Sequence, residues 1–233
     1  MSDCVARNSL QKRARLHAAL GDQTRLTIAE ELRVSDRSPK ELMELIDVKS
    51  NLLAHHLDVL EEAGAIERSP SAGDARRRYV RLTSAAGRLL GTPPGAPTRD
   101  VLFLCTRNSA RSQLAAALWK SRTGHVARSA GTKPATAVNP AAVAAAERVG
   151  LSLDGAVPSA IGRVGRGVQV ITVCDLVHEE LDAPVTWWHW SIAAPSGSGR
   201  AHAYDAVVDE LNIRMTQLGI PPRRGARGKD TEQ

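Results

Sequence analysis

Aromatic side chains are scarce in this 233-residue chain: four Trp, two Tyr and one Phe make up 3% of it. Three of the four Trp fall in the single stretch "WWHW", so the sequence does not supply a stacking platform for single-stranded nucleic acid. Cysteine is equally sparse. Cys4, Cys105 and Cys174 are an odd three, widely spaced, which is no disulfide framework and reads as a reduced cytosolic chain. No apolar run approaches the roughly 18–20 residues of a membrane helix. The N-terminal "MSDCVARNSLQKRARLH" has no apolar core or cleavage-like site, so no signal peptide is expected. The net charge is +6, with +2 over residues 1–90 (15 basic, 13 acidic) and +4 over the rest. This excess permits nucleic-acid binding without arguing for it.

What is present falls into two halves. "GTPPGAPT", residues 91–98, cannot continue a helix, and the pattern differs on its two sides. Before it, residues 1–90 read as several helices followed by a hairpin. After it, residues 99–220 alternate apolar strand-like runs with alanine-rich helices, the pattern of a parallel α/β sheet. Residues 221–233 read as a disordered basic tail.

In the first half, Asp22 or Thr24 starts a helix. Ser38, Pro39 and Glu41 then stand at the N-cap, N1 and capping-box positions of the next. In "SNLLAHHLDVLEEAGAI", Leu52, Leu53, His56, Leu57 and Leu60 fall on or near one helical face, and Gly64 ends the helix. A short helix, a tight turn and a second helix form a helix-turn-helix, whose second helix must offer small polar side chains at the end that enters the major groove. Lys49, Ser50, Asn51 and His55 suit that role. "AIERS" and "RRRYVRLT", joined by "PSAGDA", read as a hairpin wing, with Arg68, Arg76, Arg77 and Arg78 placed to meet phosphates.

"LGDQTRLTIAEEL", "LLAHHLDVLEEAGAIERS" and "RRRYVRLT" resemble the winged-helix repressors of the ArsR/SmtB family over about residues 10–90. The resemblance implies a homodimeric repressor of an operator in duplex DNA, with the first helix as the dimer interface. The family's metal-sensing "ELCVCDL" pattern is replaced by "ELRVSDRS". Arg33 and Ser35 stand where thiolates would be, and neither is a soft ligand. His55 and His56 point to different faces, so no metal site is expected.

In the second half, "VLFLCTRNSARSQLAAALWK" ends a strand at Cys105 and starts a helix at Arg111. The loop between, Thr106, Arg107, Asn108, Ser109 and Ala110, is long enough to wrap its backbone N–H groups around a tetrahedral anion, to which the helix adds its N-terminal dipole. The same field favours a thiolate at Cys105. Arg111 offers two parallel donors to oxyanion oxygens, Ser112 can hydrogen-bond the thiolate, and Asn108 can brace the loop.

From about Asp100 to Gly219 this half resembles the low-molecular-weight protein tyrosine phosphatases, and more closely their arsenate reductase branch. The segments "RSAGT" (Arg128–Thr132), "AVNPAAVAAAERVGLSLDG" (Ala137–Gly155), "VQVITVCD" (Val168–Asp175) and "WHWSIAAP" (Trp188–Pro195) follow the loop in the family's order. The resemblance implies a three-layer α/β sandwich on a four-stranded parallel sheet, with Cys105 as nucleophile and Arg111 as oxyanion clamp. It also implies arsenate or phosphate as ligand, a small thiol or thioredoxin-type reductant, and no cofactor.

Two departures matter. The family's general acid, an Asp before Pro, is Ala194 here, and such an acid is worth roughly 10²–10⁴ in rate. Of the two further redox cysteines in thioredoxin-linked reductases, Cys174 matches the first, and the second, near Leu181, is absent. Asp175, next to Cys174, could replace that acid only if the loop geometry differs, and Asp205 falls in a predicted helix as a solvated surface residue. Joined in one chain, the halves point to a DNA-binding regulator, linked to arsenic response, that senses an oxyanion or oxidation of Cys105. The alternative is a reductase or phosphatase that still turns over, fused to a DNA-binding domain.

Overall fold

A computed structural model of the chain describes residues 2–91, 97, 100–195 and 202–222, with residues 2–8 described by their backbone. Most of the expected linker (91–98) and basic tail (221–233), and the side chain of Cys4, lie outside the described residues.

The N-terminal region is helical. α1 (Ser2–Leu20), α2 (Gln23–Glu31), α3 (Pro39–Ile46) and α4 (Ser50–Glu62) lead into a two-stranded antiparallel sheet of β1 (Ile66–Pro70) and β2 (Arg78–Leu82), followed by α5 (Ser84–Leu89). The helix starts follow their capping chemistry. Asp22 accepts from the Arg25 N–H at 2.9 Å. The Glu41 carboxylate takes the Ser38 N–H at 2.7 Å while the Ser38 hydroxyl accepts from the Glu41 N–H. Gly64, at φ +75, follows α4 in the left-handed region that favours glycine. Leu16, Ile28, Leu32, Leu42, Leu53, Leu57 and Leu60 form the core.

Two expectations are corrected. Leu52 is 48% exposed, because one helical step of about 100° carries it off the buried stripe of Leu53, Leu57 and Leu60. Pro70 ends β1, paired with Arg78, and does not open the turn. A two-stranded sheet leaves the outer side of β1 without a partner strand, so a residue lacking an N–H is tolerated there.

The C-terminal α/β domain carries a four-stranded parallel sheet in the order β4-β3-β5-β6. Its strands are β3 (Val101–Cys105), β4 (Ala127–Gly131), β5 (Gln169–Thr172) and β6 (Trp188–His189). The connecting helices are α6 (Arg111–Thr123), α7 (Pro140–Arg148) and α8 (Asp175–Glu180), with α9 (Asp205–Gln217) last. Central strand β3 is covered on both faces. Phe103 packs edge-on against Trp119 of α6 at 5.7 Å, and Leu104, pointing the other way, is equally buried.

A polar seam joins the two regions. The Arg214 guanidinium of α9 grips the Asp36 carboxylate with both terminal nitrogens, and both residues are buried. Arg33 and Ser35 are buried too. Arg33 bonds Glu30 and the carbonyls of Leu90 and Gly91. The Ser35 hydroxyl accepts from the His189 N–H at 2.8 Å. None of the described helices is long and apolar enough to cross a membrane.

Candidate functional site

The loop between β3 and α6 is braced from outside. The carbonyls of Thr106, Arg107 and Ser109 accept from the N–H groups of Lys133, Ala135 and Asn139 at 2.8, 2.9 and 2.8 Å. With its carbonyls turned outward, the loop is left with its N–H groups facing in, the arrangement that binds anions. Asn108 makes the tight bend at φ +47, a left-handed conformation that Asn tolerates better than most residues. It is fully buried. Its Oδ1 accepts from the Ser159 N–H at 2.8 Å, and its Nδ2 donates to the Ser112 hydroxyl at 2.8 Å.

That last bond orients Ser112. A hydroxyl that accepts from Asn108 has its own proton free to donate, and the Cys105 sulfur lies 2.9 Å away. The geometry therefore suits a Cys105 thiolate receiving the Ser112 proton. Ala110 precedes α6 with no side-chain cap on the helix N-terminus, so its first amides remain available. Gly131 of β4 passes directly beneath. A Cβ there would lie 2.6 Å from the Thr106 carbonyl oxygen and 2.8 Å from that of Cys105, which is why no larger residue fits.

Arg111 donates from Nη1 to the Ile192 carbonyl at 2.7 Å, so the clamp rests on the segment that leads to Ala194 and Pro195. Cys174 is buried at the start of α8, its sulfur 3.4 Å from the Thr106 hydroxyl. The structure thus brings Cys105, Asn108, Arg111, Ser112 and Cys174 around one loop. Arg107 is exposed at its rim.

Asp175 is not aimed at this loop. Its carboxylate accepts from the Ala72 N–H at 2.8 Å and faces His189 Nε2 at 3.1 Å. Burial raises its pKa, but hydrogen bonds from His189 and Ala72 outweigh burial and hold it below the usual carboxylate range. An ionised carboxylate committed to those donors is not a proton donor for a leaving group, so the alternative acid is removed.

Tyr204 was missed by sequence reasoning. It is buried before α9, and its hydroxyl accepts from Asn139 Nδ2 at 3.1 Å, on the residue whose N–H braces Ser109. Burial raises its pKa, with Arg111 opposing and Cys105 adding. The phenol is therefore a protonated neighbour of the cradle. No local motif announces it.

Behind the cradle, Thr172 Oγ1 lies 2.9 Å from His178 Nδ1 and 2.8 Å from His189 Nδ1. The two imidazoles stack at 4.2 Å. His178 Nε2 meets Glu41 Oε1 at 3.0 Å, reaching back to the capping box of α3. Among the described residues, no group of three or more His, Cys, Asp or Glu side chains is arranged to hold a metal ion.

In the helical region, Lys49, Ser50, Asn51 and His55 are exposed around the N-terminal end of α4, while His56 is buried. Arg68 pairs with Asp58 at 2.7 Å and Glu61 at 3.3 Å. Arg76 is exposed beside Asp74, Arg77 is half-buried 3.9 Å from Glu179, and Arg78 is exposed at the start of β2. The hairpin turn does not stand free. The Glu179 carboxylate of α8 takes the Ser71 hydroxyl at 2.6 Å, the Asp74 N–H at 2.9 Å and the Tyr79 hydroxyl at 3.1 Å.

A family model described as low molecular weight phosphotyrosine protein phosphatase matches residues 100–220. A protein named arsenate reductase from Brevibacillus brevis (strain 47 / JCM 6285 / NBRC 100599) is 32% identical over 127 residues, 52% of this chain and 93% of that protein. Among solved structures, the tyrosine phosphatase amsI of Erwinia amylovora is 21% identical, with a TM-score of 0.46 over 54% of this chain and 94% of that one. A thioredoxin-dependent arsenate reductase of Corynebacterium glutamicum is 26% identical, with a TM-score of 0.42 over 54% of this chain and 63% of that one.

Proposed function

The chain belongs to the low molecular weight phosphotyrosine protein phosphatase family through residues 100–220, and we propose that this domain binds a tetrahedral oxyanion of the arsenate or phosphate class and that residues 1–90 make the chain a DNA-binding regulator. In this reading residues 1–90 are a winged helix-turn-helix of ArsR/SmtB type acting as a homodimeric repressor. Residues 91–98 link it to the oxyanion domain, 99–220, and 221–233 are a basic tail. The observation that carries the reading is the Asn108–Ser112–Cys105 chain of hydrogen bonds inside a loop with three carbonyls, those of Thr106, Arg107 and Ser109, held from outside. It supports a preorganised anion cradle, whereas Ala194 stands where the resemblance expects an acid and the committed Asp175 carboxylate does not replace it. The exposed Lys49, Ser50, Asn51 and His55 at the N-terminal end of α4 support entry of that helix into a major groove.

A second reading, turnover, is favoured by the intact Cys105, Arg111 and Ser112 and by the relative named arsenate reductase. Arsenate reduction takes two electrons. Cys105 and Cys174 would supply them by forming a disulfide, which a small thiol or thioredoxin-type dithiol then reduces.

One set of measurements separates the readings. Calorimetric titration with arsenate and with inorganic phosphate is expected to show binding, weakened about tenfold or more in Arg111→Lys, which loses the fork of parallel donors. Aryl phosphate hydrolysis is expected roughly 10²-fold or more below that of an enzyme retaining its acid. Thiol-dependent arsenate reduction that disappears in Cys105→Ser would establish the second reading, and absence of any oxyanion binding would sink both. Binding to an operator duplex should weaken uniformly across sequences when Arg76 and Arg78 are neutralised, with a flatter salt dependence.

A further inference from the structure

Two short segments of the C-terminal domain touch the cradle with one residue and the helical region with the next. At the start of α8, the Cys174 sulfur lies against Thr106 of the cradle, and the adjacent Asp175 carboxylate holds the Ala72 N–H in the hairpin turn. In the segment from His189 to Ile192, the Ile192 carbonyl accepts from Arg111. Its neighbour Ser191 donates its N–H to Asp36 Oδ2 at 2.8 Å, and the His189 carbonyl accepts the Asp36 N–H at 2.7 Å. His189 also faces Asp175, so the two segments are tied together. One turn further along α8, Glu179 clasps the hairpin through Ser71, Asp74 and Tyr79.

We propose that these two segments transmit occupancy of the cradle to the 34–36 loop and the hairpin turn, so that an oxyanion in the cradle loosens the hairpin from α8. The inference rests on the oxyanion reading of the cradle and adds its regulation. The direction follows from Arg111. Its Nη1 now serves a neutral carbonyl, and a dianion in the loop competes for the same guanidinium with charge-assisted bonds about twice as strong. Ile192 then loses its donor. The segment that carries Ser191 and His189 loses an anchor at its far end, and the hydrogen bonds it makes to Asp36 and Asp175 weaken. Asp175 is the hold of α8 on Ala72 of the hairpin turn. The hairpin carries Arg76 and Arg78, so its release changes how these cations are presented to a phosphate backbone.

Coupling of this kind is reciprocal and typically amounts to a factor of about 5–150. Hydrogen exchange of the full chain, with and without saturating inorganic phosphate at constant ionic strength, reads it directly through the amides of Asp36, Ala72, Asp74 and Ser191. The expected result is slower exchange in the cradle, residues 106–112, together with exchange at least about fivefold faster at the hairpin turn and the 34–36 loop. Protection of the cradle with an unchanged hairpin and loop would overturn the coupling and leave the oxyanion reading standing. No protection anywhere and no heat of phosphate binding would remove the oxyanion reading and this inference with it. Glu179→Gln supplies the reciprocal arm. It loosens the clasp without touching the cradle, and it should bind phosphate about fivefold more tightly than the unaltered chain. Equal affinity in the two would also overturn the coupling.

Discussion

The Asp36 carboxylate and the Arg214 guanidinium, 178 positions apart, form a two-pronged ion pair shut away from solvent between the helical region and α9. Glu210, also on α9, accepts from Arg214 Nε at 2.7 Å, so the cation is held by two carboxylates. Burial lowers the Arg214 pKa, but the two carboxylates outweigh it and the net shift is upward, so the charge is permanent. The loop carrying Asp36 also holds Ser191 and His189, which makes this pair the anchor of the seam.

Removing one member strands the other charge in the interior. Arg214→Met alone should cost about 3–5 kcal/mol of unfolding free energy, and the double variant Asp36→Leu, Arg214→Met should cost less than either single change. Urea denaturation of the three variants gives the answer. A double variant worse than both singles would mean that the pair itself, rather than relief of buried charge, holds the seam.

Gly131 is expected to be the most sensitive small residue at the site. A Cβ there meets Thr106 O, Cys105 O and Asn108 N within 2.9 Å, all of them backbone atoms of the cradle. Gly131→Ala should destabilise the chain by about 1–3 kcal/mol through overpacking. It should weaken phosphate binding by about tenfold or more, because the loop must shift. Calorimetry at a temperature where the variant remains folded separates the two effects.

Tyr204→Phe removes a hydroxyl and little else. Asn139 loses an acceptor, at a cost of about 0.5–1.5 kcal/mol. Because the phenol pKa is raised, the hydroxyl stays protonated through neutral pH, and any contribution to oxyanion binding is that of a donor. Phosphate affinity should therefore fall by a constant factor between pH 6 and 9. A factor that varies across that range would point to titration at Tyr204.

Acid should open the seam at Glu41 and His178. The Glu41 carboxyl is held down at about 2: burial alone would raise it, and hydrogen bonds from His178 and Ser38 outweigh that. A depressed carboxylate contributes stability that is complete above its ordinary value near 4.5 and is lost as pH falls toward 2, here about 3 kcal/mol. Burial also lowers the pKa of His178, so the unfolded chain takes up that proton first and stability starts to decline below about pH 6.5. Urea midpoints at pH 7, 5 and 3 should fall monotonically. Glu41→Gln should start lower at pH 7 and lose less between 5 and 3.

The capping box of Ser38, Pro39 and Glu41 was legible in the sequence because N-cap chemistry spans four residues. So was the cradle, whose Cys105-to-Ser112 spacing is set by the length of loop that surrounds one anion. The same reading could not see that Glu41 also meets His178, or that Arg33 and Ser35 are buried rather than vacant ligand positions. These contacts join residues 57 to 154 positions apart, and no periodicity or motif links them. Asp175 could not be assigned from sequence for the same reason. Its neighbour Cys174 faces the cradle, and which way the next side chain turns depends on the hairpin packed against it.

By itself, then, the sequence determined the local elements and the chemistry they carry: a loop behind a cysteine with the residues of an anion cradle, capped starts for α2 and α3, and small polar side chains at the exposed start of α4. Those features depend on covalent spacing and on the backbone's need to pair its own polar groups within a few residues. Only the tertiary structure decided that the hairpin turn is clasped by Glu179, that Asp175 serves the seam rather than the cradle, and that Arg111 leans on a segment shared with the helical region. Burial decides these, because a carboxylate or guanidinium removed from water must find its partner in space, wherever along the chain that partner lies.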